Sequence, residues 1–337
     1  MRRQILVRVG DHLIYISGLN LAVGHAHTLI KGEPLREYTL RGFDGTAFVE
    51  VLGLISQLPG LESLVLNFRA HDGPFRFDTD TNDNDREFPA EIILQFLIFR
   101  ALAENSQRYP SPLKSLTIDK LLPLPHPYIS SPTIIALLST LSHLSIKTTT
   151  QCAAFPMTDP RLEWTSTPLF EKGAFSTSLA SLELHHASVR SADVLVSLSE
   201  IQLPRLETLS LQRIYFSDKG KPEDFIARHG GTLLKLKLFL CPMALSTSGS
   251  KGSEGRPASF RRWTQVWERL RSDLKNLRGL VVSERHDSNG VDDAGLGRYV
   301  DNCYSCNAVD LGEAETAEDD IAFELFQKSV VLRSHDV

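Results

Sequence analysis

The chain has 337 residues, 42% of them hydrophobic and 23% charged, with a formal net charge of −5 at pH 7. That balance belongs to a folded chain rather than a disordered one, and it supplies no basic field of the kind nucleic acid selects. Four cysteines in this length make no disulfide framework, and no Asn-x-Ser/Thr sequon occurs, so a cytoplasmic or nuclear setting is expected.

In chain order, Ile5 to Val9 and Leu13 to Ile16 alternate as two strands and are expected to form an N-terminal cap over residues 1–34. The basic start at Arg2 and Arg3 is followed by a stretch that Arg8, Asp11, His12 and His25 interrupt, which does not read as a secretory leader. From Leu35 onward one hexamer dominates. Leu-x-x-Leu-x-Leu or a near variant begins at Leu35, Leu61, Leu113, Leu141, Leu179, Leu206, Leu233 and Leu277. Successive starts differ by 26, 52, 28, 38, 27, 27 and 44 residues. The interval of 52 is two units of 26, so it holds either a hidden copy or a replacing loop.

A period in the twenties with leucine at positions 1, 4 and 6 is the mark of leucine-rich repeats. Positions 4 and 6 alternate with polar residues at strand periodicity, and each unit hides its apolar side only against the next. The Asn or Cys expected at position 9 occurs only as Cys241, so the repeats are irregular.

Between the copies lie helical patterns. Thr46 to Leu58, Pro89 to Asn105, Pro132 to Leu141, Ala192 to Leu198 and Glu223 to Arg228 are predicted as helices, the last ended by Gly230-Gly231. The apolar run from Ile92 to Ala103 contains Gln95 and Arg100 and is too short to cross a bilayer. Ser259 to Leu274 is an amphipathic helix with Trp263, Trp267, Leu270 and Leu274 on one stripe. Its Arg261, Arg262, Arg269 and Arg271 read as a solvated face. Residues 313–332 form a last helix that starts acidic and carries Ile321, Phe323, Leu325, Phe326 and Val330. The predicted class is therefore α/β: a curved leucine-rich-repeat solenoid over residues 35–285, parallel sheet inside and helices outside. Inserts at residues 72–87 and 246–257 break its period, and residues 286–337 form a C-terminal cap with an acidic tail helix.

Signatures of chemistry are sparse. Asp80, Asn82, Asn84 and Glu91 fall at positions 1, 3, 5 and 12 of a calcium loop, but Asp85 and Glu87 occupy the positions that need glycine and an apolar residue. A solvated acidic loop is expected there. Cys303 and Cys306 form a Cys-x-x-Cys with no second ligand pair nearby, which favours two inert thiols over metal or redox chemistry. Adjacent His185 and His186 face opposite ways on a strand and cannot share a metal. No phosphate loop, dinucleotide fingerprint or zinc-protease motif occurs. No cofactor, metal site or catalytic residue is expected.

The segment from Phe225 to Cys241, the Trp263–Trp267 helix leading to Val282 and the tail Asp319 to Phe326 resemble the repeat region of fungal F-box/leucine-rich-repeat proteins. The resemblance covers roughly residues 35–332. It implies a substrate-recognition module of a cullin-type ubiquitin ligase, in which the repeats select the substrate and an F-box docks the adaptor. Residues 1–34 do not read as an F-box, so an adaptor contact would need one upstream of Met1.

The expected function is a non-enzymatic protein-binding scaffold. Positions 3, 5 and 7 of the inner strands point into the concave face, which makes His143, Ser145, Lys147, Ser181, Glu183, His185, Thr208, Ser210, Gln212, Lys235, Lys237 and Phe239 the candidate partner-binding residues. Phe239 is the expected exposed anchor. The alternatives are a structural solenoid in a larger complex, contacted on its outer helices, and a metal or redox enzyme using Cys303 and Cys306.

Overall fold

A computed structural model describes residues 4–9, 12–17, 62–67, 95, 98–102, 104, 113–121, 132–148, 178–186, 198, 201–217, 221–245, 261–283, 298–301 and 312–335. The chain forms two compact units, Met1–Ser176 and Thr177–Val337. Both are built from parallel strands and helices, so the chain is α/β.

The first unit begins with a hairpin. Strands β1 (Gln4–Val9) and β2 (His12–Ser17) pair antiparallel, Val9 opposite His12. Strands β3 (Ser63–Asn67), β4 (Ser115–Leu121) and β5 (His143–Thr148) then pair in parallel, with helix α1 (Pro132–Thr140) between the last two. Their register aligns Leu64, Leu116 and Leu144 in one row and Leu66, Ile118 and Ile146 in the next, all at most 2% exposed. Because β3 and β4 are direct neighbours, no strand of this sheet lies between them, and the interval of 52 residues adds no row to it. The described residues of the predicted helix 89–105, from Gln95 to Glu104, are helical, and Ile98, Phe99 and Ala101 are buried.

The second unit repeats the plan. Strands β6 (Ser181–His185), β7 (Thr208–Gln212), β8 (Lys235–Phe239) and β10 (Gly279–Ser283) run parallel in the spatial order β6, β7, β8, β10. Leu182, Leu209 and Leu236 form one buried row and Leu184, Leu211 and Leu238 the next, with Leu206, Leu233 and Leu277 fully buried just before their strands. Helices α2 (Pro222–Arg228) and α3 (Trp263–Asp273) precede β8 and β10. A short side sheet, unforeseen in the sequence, pairs β9 (Met243–Leu245) with β11 (Tyr299–Asp301). Helix α4 (Glu313–His335) packs on α3 and touches β10.

The backbone bonds between strands recur residue for residue. The carbonyl at position 2 of one copy accepts from the N–H groups at positions 2 and 3 of its neighbour: Glu62 from Lys114 and Ser115, Lys114 from Ser142 and His143, Ala180 from Glu207 and Thr208, Glu207 from Leu234 and Lys235, Leu234 from Arg278 and Gly279. At the other end, the N–H groups of His186, Arg213 and Leu240, all at position 8, donate to Gln212, Phe239 and Ser283. Three residues at position 8 adopt left-handed backbone: Lys120 (φ 58°), Arg213 (φ 56°) and Leu240 (φ 49°). None is glycine, and each carries a conformational cost of about 1 kcal/mol or more. At Lys120 this turn makes a bulge that shifts the β4–β5 register between Ile118 and Leu121.

Several expectations change. Strand β10 buries its aliphatic residues only in part, since Leu280 and Val282 are half-buried and Val281 is 46% exposed. Among the described residues no strand pairs with its outer edge. Within the predicted helix 259–274, the described residues Arg261 and Arg262 are not helical and the helix runs from Trp263 to Asp273. Gly230 serves a close approach as well as a helix end. A Cβ there would lie 2.2 Å from the Asp273 carbonyl oxygen, whereas no left-handed φ is required of it. Of the Arg residues around α3, Arg261 and Arg262 are largely covered, whereas Arg269 remains exposed. Arg261 pairs with the buried Glu223, Arg262 with Glu318 at 2.6 Å, and Arg269 with Asp224. On α4, Ile321 and Leu325 point to solvent, while Asp319, Ala322, Phe326 and Val330 form the buried row. The first copy at Leu35, the predicted helix Thr46 to Leu58, both inserts, the acidic loop Asp80 to Glu91, most of the helix ending at Leu198, and Cys152, Cys303 and Cys306 lie outside the described residues.

Candidate interaction face

Strand alternation sorts β3 to β8 into a leucine side and a polar side. In the second unit the polar side forms three rows: Ser181, Thr208, Lys235 and Gly279; Glu183, Ser210, Lys237 and Val281; His185, Gln212, Phe239 and Ser283. Lys235 and Lys237 are exposed, while Glu183, His185, Gln212 and Phe239 are half-buried. Phe239 is therefore less available than the sequence suggested, and the exposed apolar residue of this face is Val281. It stands at position 5 of the last copy, so the rule that selected Lys237 also reaches it. In the first unit the corresponding rows are Ser63, Ser115 and His143, then Val65, Thr117 and Ser145. His143 is exposed with Nδ1 2.8 Å from Ser142 Oγ, and Lys147 is half-buried. The twelve candidates thus fall into two groups, His143, Ser145 and Lys147 in one unit and the remaining nine in the other.

Titratable groups near these rows are set by burial. His186 sits just past β6 and is 5% exposed. Desolvation, then the adjacent His185 and Arg213, lowers its pKa to about 4, so it is neutral at physiological pH. This is the packed member of the histidine pair; His185 is the half-buried one. Cys241 directs its thiol at the carbonyls of Leu211, 3.4 Å away, and Phe239. The residue keeps some surface, but its sulfur is enclosed, and burial pushes the thiol up to about 12. It braces two neighbouring strands and has no nucleophilic character.

A second polar cluster, invisible in sequence, joins α3, β11 and α4. The Asp319 carboxylate is fully buried and accepts from Thr264 N–H (2.8 Å), Thr264 Oγ1 and the Tyr299 hydroxyl (2.5 Å). Tyr299 Oη in turn accepts from Trp263 N–H at 2.9 Å. Burial, then the bond to Asp319, raises the Tyr299 pKa, so the hydroxyl stays protonated. All members are satisfied, and the cluster caps a helix rather than forming a pocket for chemistry.

Among the described residues no helix is long and apolar enough to cross a membrane. No family model, curated protein or solved structure matches the chain.

Proposed function

We propose that residues 35–285 form a leucine-rich-repeat solenoid whose concave strand face captures a protein partner, without catalysis and without a cofactor, in the cytoplasm or nucleus. Support for the solenoid comes from the recurring bonds at positions 2, 3 and 8, and from Cys241 bridging to the preceding strand at the position where such repeats carry Asn or Cys. The single observation that carries the function is the contrast between the two sides of each strand. The leucine side is locked into closed rows, whereas the other side presents Lys235, Lys237 and Val281 to solvent on a rigid backing.

By its resemblance to F-box/leucine-rich-repeat proteins, the chain is proposed as a substrate-recognition module of a cullin-type ubiquitin ligase. Contact with the ligase adaptor would require an F-box. Affinity purification followed by mass spectrometry tests the face: Lys235→Glu, Lys237→Glu and Glu183→Lys together remove the partners that the wild-type chain retains. If the same partners persist, the face is wrongly assigned. A second reading is a structural solenoid held in a larger complex by its outer helices. It draws on Ile321, Leu325 and Leu332, which are 60%, 44% and 68% exposed and fall on one line of α4.

A further inference from the structure

We infer that the open face of the second unit takes an extended acidic peptide, with two carboxylates spaced two residues apart on Lys235 and Lys237 and an apolar contact from Val281 beside the second. This rests on the protein-binding reading above and gives it a ligand class. The two lysines alternate along β8 and so leave the sheet on the same side, about 7 Å apart. Both are exposed, and among the described residues neither ammonium has an ion-pair partner. The contrast with α3 is direct. There Arg261, Arg262 and Arg269 meet acids of the same chain, and beside it Arg298 meets Asp320 at 2.7 Å. In a chain of net charge −5, the β8 pair is left with like charges side by side and no counter-charge among the described residues.

The flanks fit a strand-like occupant. Thr208 and Ser210 on β7 are short, and Gly279 on β10 has no side chain. A Cβ at Gly279 would come within 3.3 Å of Lys235 Cγ, so the lysine stem already lies along that floor. Lys235 therefore meets no β10 side chain at its paired position. An extended peptide repeats its side chains with the same period as β8, which lets residues i and i+2 meet both lysines together. Val281 lies beside Lys237 in register, is 46% exposed, and offers an apolar contact next to the charge. Glu183 lies two strands away from Lys237 and bounds the acidic footprint on that side. That carboxylate and the short run of only two cations favour a peptide over the continuous phosphate chain of a nucleic acid.

The test is a selection of random dodecapeptides displayed on phage against the full chain and against the Lys235→Gln/Lys237→Gln variant, which keeps the stems and removes the charge. The wild-type chain is expected to enrich acid-x-acid sequences that also carry an apolar residue. A fluorescein-labelled peptide of that consensus then loses affinity at least about tenfold on the variant and as salt is raised. Lys328→Gln on α4 leaves it unchanged, and matching thermal melts show that the variants fold. Enrichment of non-acidic peptides that Val281→Asp abolishes would overturn the acidic ligand while leaving the protein-binding face intact. No enrichment sensitive to any of these substitutions overturns both. Equal, lysine-dependent binding of a labelled single-stranded dodecanucleotide would replace the peptide with a general polyanion.

Discussion

His186 shows how one buried ring ties this fold to pH. Its pKa falls from 6.5 to about 4 in the folded chain, chiefly through burial. Below pH 6.5 the unfolded chain binds a proton that the native chain refuses, so the contribution is complete above that pH and is lost as the pH falls towards 4. Over that window the group accounts for roughly 3 kcal/mol. His229 acts in the same direction: burial lowers its pKa, its Nε2 accepts from Leu203 N–H at 2.9 Å, and its Nδ1–H donates to the Phe225 carbonyl. Protonation of Nε2 would break the first bond. Urea midpoints measured from pH 7 to 4.5 are expected to fall, and His186→Gln is expected to flatten part of that fall. An unchanged slope would show that the ring titrates normally. Cys241 makes the complementary case. With the thiol raised to about 12, peptide-resolved alkylation at pH 7.5 is expected to label it at least about a hundredfold more slowly in the native chain than in urea.

At the level of one element, α3 is held at both ends by α4. The positive end of its dipole meets the Asp319 carboxylate through Thr264, and its last carbonyls, Leu274 and Arg271, accept from Arg333. Between these clamps runs an aromatic column: Phe216 to Trp263 at 4.7 Å, Trp263 to Trp267 at 4.6 Å and Trp267 to Phe323 at 5.2 Å between ring centres. Asp319→Ala leaves the Tyr299 hydroxyl and the Thr264 donors buried without their acceptor, an expected loss of about 3 kcal/mol in denaturant unfolding. Arg333→Ala is expected to cost about 1 kcal/mol, because its carbonyl partners regain water. Equal effects of the two would mean that the carboxylate has no special standing. Gly230→Ala places a methyl against the Asp273 carbonyl and is expected to destabilise by about 1–3 kcal/mol, as overpacking of a fixed backbone contact.

At the scale of the molecule, each unit gains its stability from rows that close only when neighbouring strands are present. Leu209 is fully buried between Leu182 and Leu236, whereas Leu280, on the last strand of the same row, is half-buried. Leu209→Ala is therefore expected to cost about 3–4 kcal/mol and Leu280→Ala about 1 kcal/mol. Chemical denaturation followed by tryptophan fluorescence compares the two. Comparable losses would argue against a row whose burial declines towards β10. Hydrogen exchange is expected to follow the same order, slowest in β7 and faster in β10.

How much was readable in advance follows from where the information lies. Alternation and the repeated hexamer located the leucine rows, because a strand's inward residues are dictated by a period of two that the chain carries locally. The stripe Trp263, Trp267, Leu270 and Leu274 was legible for the same reason, and all four side chains are buried. The outward positions Lys235 and Lys237 followed as the complement of the inward ones. Only the fold could decide the rest. That β3 lies against β4 across fifty residues, that Asp319 and Arg333 clasp the ends of α3, and that Gly230 must lack a side chain all depend on contacts between residues distant in sequence. A buried aspartate and an exposed one look alike in a string of letters. Their difference is the cost of removing a charge from water, which has meaning only once the neighbours that satisfy it are in place.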